Sequence, residues 1–230
     1  MNRLTRDLLL VLLGGIMLRV SLGDAYLAYV REGFRPLLVT AGVLVLLLGV
    51  LGVVRGAVPG HAHRDPGIAW LLLLPVAVLV VVAPPALGSY TAVRQMAPLP
   101  AAEAPRPGIG ADDPGTGHRT MTLLEYSLYA RAADTGALED RRVRLVGFVT
   151  PRDGGGWYVS RIRIACCAAD ASAVSVVVDG PVDGLAADQW VEVVGRWAPP
   201  QPNPSAGYPE AVIAPVSVTP VSPPADSYEN

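Results

Sequence analysis

Long apolar runs lie almost wholly before residue 93 of this 230-residue chain, and they predict a membrane region followed by a folded domain. Three segments, 8–30, 37–54 and 68–87, are each long enough to cross roughly 30 Å of hydrocarbon at about 1.5 Å per residue. We therefore predict a multi-pass protein whose α-helical membrane region covers residues 1–93. The first segment is also typical of a secretory signal peptide, because a basic start precedes its apolar stretch, and this alternative stays open.

Two kinds of residue within these segments bear on helix packing. The second segment carries Gly42, Gly49 and Gly52, small residues that let a neighbouring helix approach closely. The first carries Arg19, an intramembrane cation of a kind that costs about 2.5 to 3.5 kcal/mol on insertion scales, with Asp24 nearby. Arg19 either extends towards the membrane surface beside Asp24 or faces a carboxylate on a partner helix, and the sequence leaves both open.

The distribution of arginines predicts the orientation of the spans. Cytoplasmic loops are enriched in basic residues, and an inner N-terminus places four of the flanking arginines inside and two outside. The four are Arg3, Arg6, Arg55 and Arg64, and the two are Arg31 and Arg35. Three spans then place the C-terminal domain outside the cytoplasm. Cleavage of the first segment gives the same result, because the two remaining spans also return the chain to the outside.

Residues 94–118 are rich in Pro, Ala and Gly, a composition that cannot bury a core, and they predict a linker. A folded domain follows over residues 119–230. Its first element is one short amphipathic helix, because Thr122 and Glu125 fit a capping box and Gly136 is placed as the C-terminal stop.

Alternating apolar positions after this helix predict five short strands separated by turn residues. They cover residues 142–149, 157–166, 173–178, 190–197 and 211–218. Gly147 and Gly195 stand where strands are expected to bend. Five short strands suit a small closed barrel of OB type, whereas a sandwich needs about seven. The predicted fold is thus a membrane α-helical region plus an all-β domain, an OB-like five-stranded barrel with one preceding helix.

The two cysteines of the chain are adjacent, Cys166 and Cys167, where the second predicted strand enters a loop of small residues. In a continuing strand, Cys166 would face the core and Cys167 would face solvent with Arg161 and Arg163. A tight turn would instead bring both thiols together with Asp170. Two thiolates and a carboxylate supply three of the four ligands of a zinc site, and the arginines would assist thiolate formation. A buried packing role and a vicinal disulfide remain alternatives.

A second, weaker set of metal ligands is His61 and His63, in the short loop between the second and third apolar segments. Two imidazoles in this spacing can hold a divalent metal, but only a longer His-rich tract is a strong signal. A solvated loop that contains two histidines is the interpretation that the short motif favours.

Residues 164–171 read Ile-Ala-Cys-Cys-Ala-Ala-Asp-Ala, and this motif resembles a signature of the bacterial YcgQ-like family. The resemblance extends more loosely to residues 35–38, the strand at Gly147, residues 190–195, and the tail with Tyr228 and Glu229. It implies N-terminal spans, a C-terminal domain that bears the cysteine signature, and partnership with a multi-span membrane permease. Some members carry a longer His-rich loop than this chain has. The resemblance brings no catalytic role.

These features predict an accessory subunit of a membrane permease, with an extracytoplasmic barrel that binds a ligand or a divalent metal such as zinc. The alternative is a membrane-tethered thiol redox protein that uses Cys166 and Cys167. Adjacent cysteines lack the two-residue spacing of thioredoxin-like motifs, so we expect no enzyme. The expected partners are the permease and the lipid bilayer, and a net charge of -2 predicts no nucleic acid.

Overall fold

The structure is a computed structural model, and it divides the chain into two compact units, Met1–Ala86 and Leu87–Asn230. The residues it describes are 3–56, 86–96, 115–132, 136, 138–181, 184–203 and 208–229. His61 and His63 lie outside these described residues, and so does the predicted third span except for residues 86 and 87. Most of the predicted linker, from residue 97 to residue 114, also lies outside them.

The described part of the first unit is a pair of long helices. Helix α1 covers Arg3–Leu22 and helix α2 covers Arg35–Gly56, with short 3-10 turns at Ala25–Ala28 and Glu32–Phe34 between them. The helix predicted over residues 8–30 therefore starts earlier and ends at Leu22, because the following Gly and Asp are poor helix formers. By length and composition, Glu32–Arg55 is the one helix among the described residues that can cross a membrane, with a mean hydropathy of 2.9.

Glycines bring α1 and α2 into close contact. A β-carbon on Gly49 would lie 2.6 Å from the backbone nitrogen of Val11, and one on Gly42 would lie 3.1 Å from the side chain of Leu18. Gly52 faces the carboxylate of Asp7, which is buried in this interface. The prediction that these glycines let another helix approach is confirmed, and the neighbour is α1.

The second unit is a closed barrel preceded by helices. Helix α3 is Ser89–Arg94, strand β1 is Arg119–Thr120, and helix α4 is Leu123–Ala130. The remaining strands are β2 (Arg142–Pro151), β3 (Trp157–Arg163), β4 (Ser172–Val178), β5 (Trp190–Pro202) and β6 (Pro209–Pro220). Strands β2 to β6 pair in the order β2-β3-β4-β6-β5, and β5 pairs back to β2. The pairing of β4 with β6 is parallel, and the other four barrel pairings are antiparallel. This closed five-stranded barrel with a preceding helix confirms the predicted fold class.

The two glycines predicted as bends occur at tight places in the barrel wall. The register between β5 and β6 shifts at Gly195, where a β-carbon would lie 2.5 Å from the carbonyl oxygen of Ala214. Gly147 lies next to Phe148, the residue at which β2 pairs with both β3 and β5. A side chain at either glycine would meet the backbone of the neighbouring strand, so both strands need glycine to curve.

Helix α4 covers one end of the barrel core and is capped as the sequence predicts at its start. The Thr122 hydroxyl accepts a hydrogen bond from the Glu125 N–H at 3.0 Å. The helix then ends at Ala130 and not at Gly136, because the backbone leaves the helical region at Arg131. Tyr126 and Leu123 on its inner face are fully buried against the barrel, with Trp157 of β3 beneath them.

The C-terminal tail fastens this helix to the barrel. The Glu229 carboxylate accepts hydrogen bonds from the N–H groups of Leu123 and Leu124, at 2.6 and 3.1 Å. The Glu229 N–H donates to the carbonyl oxygen of Ile162 at 2.9 Å. The Tyr228 hydroxyl accepts from the N–H of Leu87, the first residue of the unit, at 3.2 Å. The tail thus joins β3, the start of α4 and the entry of the domain.

Candidate functional site

The two cysteines lie in a tight turn that follows β3. The strand ends at Arg163, three residues before Cys166, so the continuing strand predicted to residue 166 is not formed. A 3-10 turn, Ala168–Asp170, follows the cysteines, and the Asp170 N–H donates to the carbonyl oxygen of Cys167 at 3.0 Å. Cys166 is exposed and Cys167 is half-buried, and both are free thiols. The small side chains after the pair permit this turn, which was the second of the two predicted arrangements.

The turn brings three potential metal ligands together. The Sγ atoms of Cys166 and Cys167 are 3.6 Å apart, and the ligand atoms of both cysteines and Asp170 all lie within 4.8 Å of one another. Two sulfurs bound to one tetrahedral zinc ion at about 2.3 Å each stand about 3.8 Å apart. The donor set and its spacing therefore fit a thiophilic divalent ion with little rearrangement.

Backbone N–H groups orient the Asp170 carboxylate in this turn. Its Oδ1 accepts from the Ala165 N–H at 2.9 Å, and its Oδ2 accepts from the Cys166 N–H at 2.8 Å. The hydrogen bond from the Cys166 thiol, and then these backbone bonds, lower the pKa of Asp170. The carboxylate is therefore ionised at neutral pH, and the lone pair that accepts the Cys166 S–H becomes free for a ligand when that proton is lost.

The Cys166 thiol is shifted in the opposite direction. Its hydrogen bond to the Asp170 carboxylate, and then its contact with Cys167, raise the pKa of Cys166 to about 12. The thiol consequently keeps its proton at neutral pH until something replaces that proton. This differs from the prediction that Arg161 and Arg163 assist thiolate formation, because the nearest charge to the thiol is negative.

Arg161 serves the tail of the domain and not the thiols. Its Nη2 donates to the carbonyl oxygens of Tyr228 and Asp226, at 2.9 and 3.2 Å. Its guanidinium carbon lies 4.9 Å from the centre of the Trp190 ring, a cation–π contact. Arg163, at the end of β3, is half-buried. The structure therefore brings Cys166, Cys167 and Asp170 together, and it engages Arg161 with the tail.

The intramembrane polar residues predicted in the first unit do not pair with each other. Arg19 lies in the last turn of α1, and Asp24 precedes the following 3-10 turn. Both side chains are exposed, and among the described residues no ion pair joins them. The structure therefore places the two residues at separate exposed positions.

Sequence reasoning missed a buried polar cluster around Glu210, near the starts of β3 and β6. The Glu210 carboxylate accepts hydrogen bonds from Arg152, at 2.9 Å, and from Tyr158 and Asn203, both at 2.7 Å. Burial, and then the bond to Glu210, raise the pKa of Tyr158. Glu210 lies one residue before the strand predicted over 211–218, so the alternating pattern held no signal for this buried carboxylate.

Comparison with known families covers the second unit and not the first. Residues 128–228 match the family model described as the DUF1980 C-terminal domain, a YcgQ-like family. The matched range includes Cys166, Cys167 and Asp170, and it ends at Tyr228 in the tail. No curated protein and no solved structure matches the chain.

Proposed function

We propose that the barrel domain captures a thiophilic divalent metal ion, such as zinc, with Cys166, Cys167 and Asp170, as an accessory subunit of a membrane permease. The observation that supports this best is the convergence of three ligand atoms within 4.8 Å of one another in a solvent-accessible turn. Three protein ligands leave one position of a tetrahedral ion open. Structural zinc sites are closed by four ligands, so an open position suits an ion that is taken up and passed on.

The protonation of the turn supports exchange of this ion. Because the pKa of Cys166 is raised to about 12, the ion has to displace a proton at neutral pH. Affinity therefore falls as the pH decreases, and release is easier in an acidic environment. Asp170 provides the ionised group that first attracts the cation, because its pKa is lowered.

The permease partnership rests on the resemblance to the YcgQ-like family and on the membrane region. In this proposal the spans 8–30, 37–54 and 68–87 cross the bilayer, and the barrel lies outside the cytoplasm. Helix α2 supports it through exposed apolar side chains, such as Leu48 and Val54, that suit lipid or another helix. Exposed Arg19 on α1 is available to a carboxylate of the permease.

A reporter fused after Asn230 tests the orientation. Alkaline phosphatase is expected to be active at this position, and a reporter that fluoresces only in the cytoplasm is expected to stay dark. The opposite pair of results would place the barrel in the cytoplasm and exclude an extracytoplasmic metal site.

Zinc titration of the reduced full chain in detergent tests the metal site directly. The wild type is expected to bind about one zinc per chain, and Cys166→Ser and Cys167→Ser are expected to lose this binding, because a hydroxyl is a poor ligand for such ions. Asp170→Asn should weaken it. Asp153→Asn, an exposed aspartate in the β2–β3 turn, is the matched control and should bind as the wild type does. Equal binding by the wild type and Cys167→Ser would refute the site.

A thiol redox function is the second candidate, favoured by the 3.6 Å separation of the two sulfurs. Formation of a disulfide would join Sγ of Cys166 to Sγ of Cys167 and pass two electrons and two protons to a disulfide oxidant. The raised pKa of Cys166 opposes this, since the thiolate is the attacking species. A free-thiol count that stays at two after treatment with oxidised glutathione supports the metal site, and a count of zero supports the redox function.

A further inference from the structure

A small cavity, separate from the cysteine turn, lies between α4, β4 and β6. It has a volume of about 30 Å³, and no residue of the cysteine turn lines it. Its polar walls come from Ser127 and Arg131 at the end of α4, and from Ser175, Tyr208 and Glu210 on the barrel side. Apolar groups, among them Met96, complete the lining.

Two donors in this cavity have no hydrogen-bond partner among the residues that the structure describes. Ser127 is 1% exposed, and its Oγ atom is buried without a hydrogen bond. The Nη2 atom of Arg131 is buried without one as well, whereas the Nε of the same guanidinium donates to the carbonyl oxygen of Ser127 at 3.0 Å. Buried polar groups are normally satisfied, so two unsatisfied donors on one cavity indicate a missing acceptor.

The positive charge of Arg131 also lacks a free counter-charge among the described residues that line the cavity. Glu210 is the carboxylate of the lining, but its oxygens already accept hydrogen bonds from Arg152, Tyr158 and Asn203. Burial raises the pKa of Tyr208, so its phenol is neutral at physiological pH. Burial likewise lowers the pKa of Arg131, which reflects the cost of holding this cation away from water. An anion that enters the cavity would relieve that cost.

We propose that this cavity binds the carboxylate group of a small organic anion, with Arg131 Nη2 and Ser127 Oγ as its donors. The volume of about 30 Å³ exceeds the 10–15 Å³ that one water needs, and it suits a planar carboxylate. The negative charge of Glu210 disfavours a doubly charged phosphate. The rest of the ligand would lie against Met96, which is held in place because the carbonyl oxygen of Gln95 accepts the Ala173 N–H at 2.9 Å.

Carbon-13-labelled acetate is the probe for this site, titrated into the full chain in detergent and followed by NMR line broadening, with chloride keeping the ionic strength constant. Arg131→Gln should raise the Kd for acetate at least about tenfold, and Ser127→Ala about fivefold, because a bond to a charged donor contributes more than one to a hydroxyl. Arg131→Lys should recover part of the loss. Arg144→Gln is the matched control, since that arginine pairs with Glu192 away from the cavity, and it should leave the Kd unchanged.

Three results would overturn the proposal. Acetate that causes no broadening of the wild-type signal would show that the cavity holds water only. An unchanged Kd in Arg131→Gln, or equal competition by chloride, would show that acetate binds elsewhere. Melting curves show that each variant is folded, and Ser127→Ala should melt no lower than the wild type, because it removes an unsatisfied hydroxyl. Cys166→Ser should keep the acetate affinity, which separates this site from the metal site.

Discussion

Asp170 and Glu210 are two carboxylates of one barrel, and their surroundings assign them opposite tasks. Glu210 is buried, and three side chains donate to it: Arg152, Tyr158 and Asn203. Asp170 is exposed, and backbone N–H groups together with one thiol surround it. The first carboxylate has no capacity left for a ligand, whereas the second is open to solvent and gains a free lone pair when the Cys166 thiol loses its proton. Saturation and burial therefore distinguish a carboxylate that stabilises the barrel from one that can bind an ion.

The largest effect is expected when the buried carboxylate is neutralised. Glu210→Gln leaves the Arg152 cation, whose side chain is 14% exposed, without its counter-charge. Breaking such a pair costs about 3 kcal/mol or more in the free energy of unfolding, measured by urea denaturation of the full chain. Glu192→Gln is the control, because its pair with Arg144 is about 30% exposed on both sides and should cost less than about 1 kcal/mol. Equal losses of unfolding free energy in the two variants would show that the burial of Glu210 does not make it more important for stability than the more exposed pair.

Zinc should stabilise the barrel through the exposed carboxylate and the thiols. At a free zinc concentration of about 100 times the Kd, the wild type should gain about 2.7 kcal/mol in the free energy of unfolding. Cys166→Ser should gain nothing, and a chelator should return the wild type to its metal-free value. A gain of the same size in Glu210→Gln would confirm that the two carboxylates act independently, and a gain in Cys166→Ser would refute the metal site.

A third carboxylate, Glu229, tests whether burial alone predicts the effect. It is 8% exposed and accepts from two N–H groups at the start of α4. Glu229→Gln should lower the free energy of unfolding by about 1 to 2 kcal/mol, because it weakens a charged helix cap. Glu125→Gln, at a half-buried residue of the same turn whose contact with Arg119 is 3.5 Å long, should cost less than about 1 kcal/mol. A loss in Glu229→Gln as small as that in Glu125→Gln would show that the hydrogen bonds from the tail to the start of α4 do not stabilise the domain.

The smallest effect on stability is expected at Asp170, where the change appears in reactivity. The raised pKa of Cys166 favours the protonated thiol, so alkylation of the wild type should increase with pH up to about 12. Asp170→Asn removes the main cause of that shift, so Cys166 should react faster at pH 8, as measured by mass spectrometry of the labelled peptide. The pKa of Asp170 is shifted in the other direction, below its ordinary value. The ionised carboxylate therefore stabilises the turn at pH values above the ordinary pKa of an aspartate, and this stabilisation is lost as the pH falls through the pKa in the folded protein. Slower alkylation in Asp170→Asn would show that the carboxylate does not hold the thiol proton.

Local patterns predicted the barrel well. Each of the five strands shows alternating apolar and polar residues within a few neighbouring positions. Thr122 acts as a cap through a residue in the next turn of the helix, so this feature is local too. The adjacent cysteines and Asp170 are also within one turn of chain, so their meeting could be anticipated as one of two arrangements. The early end of α4 was missed because Gly136 is a general stop signal, whereas the backbone already turns at Arg131.

Contacts between distant residues could not be predicted in the same way. Arg161 meets the tail 65 and 67 positions away, and Glu229 caps a helix 105 and 106 positions before it. Ser127 becomes an unsatisfied donor only because β4 and β6 close over it. Each of these contacts depends on the order of the strands in the barrel. That order produces no periodic pattern of apolar and polar residues within a single segment.

The bond between Leu87 and Tyr228 has a mechanical consequence. A pull on the chain that precedes Leu87 reaches its hydrogen bond to the Tyr228 hydroxyl, and then the bond from the Ser89 N–H to the Asp188 carboxylate. Each is a single bond, so the two give way one at a time, whereas the paired strands of the barrel resist through many bonds in parallel. A force applied to the chain before Leu87 would therefore detach α3 and loosen the tail, while the hydrogen bonds between the barrel strands stayed intact.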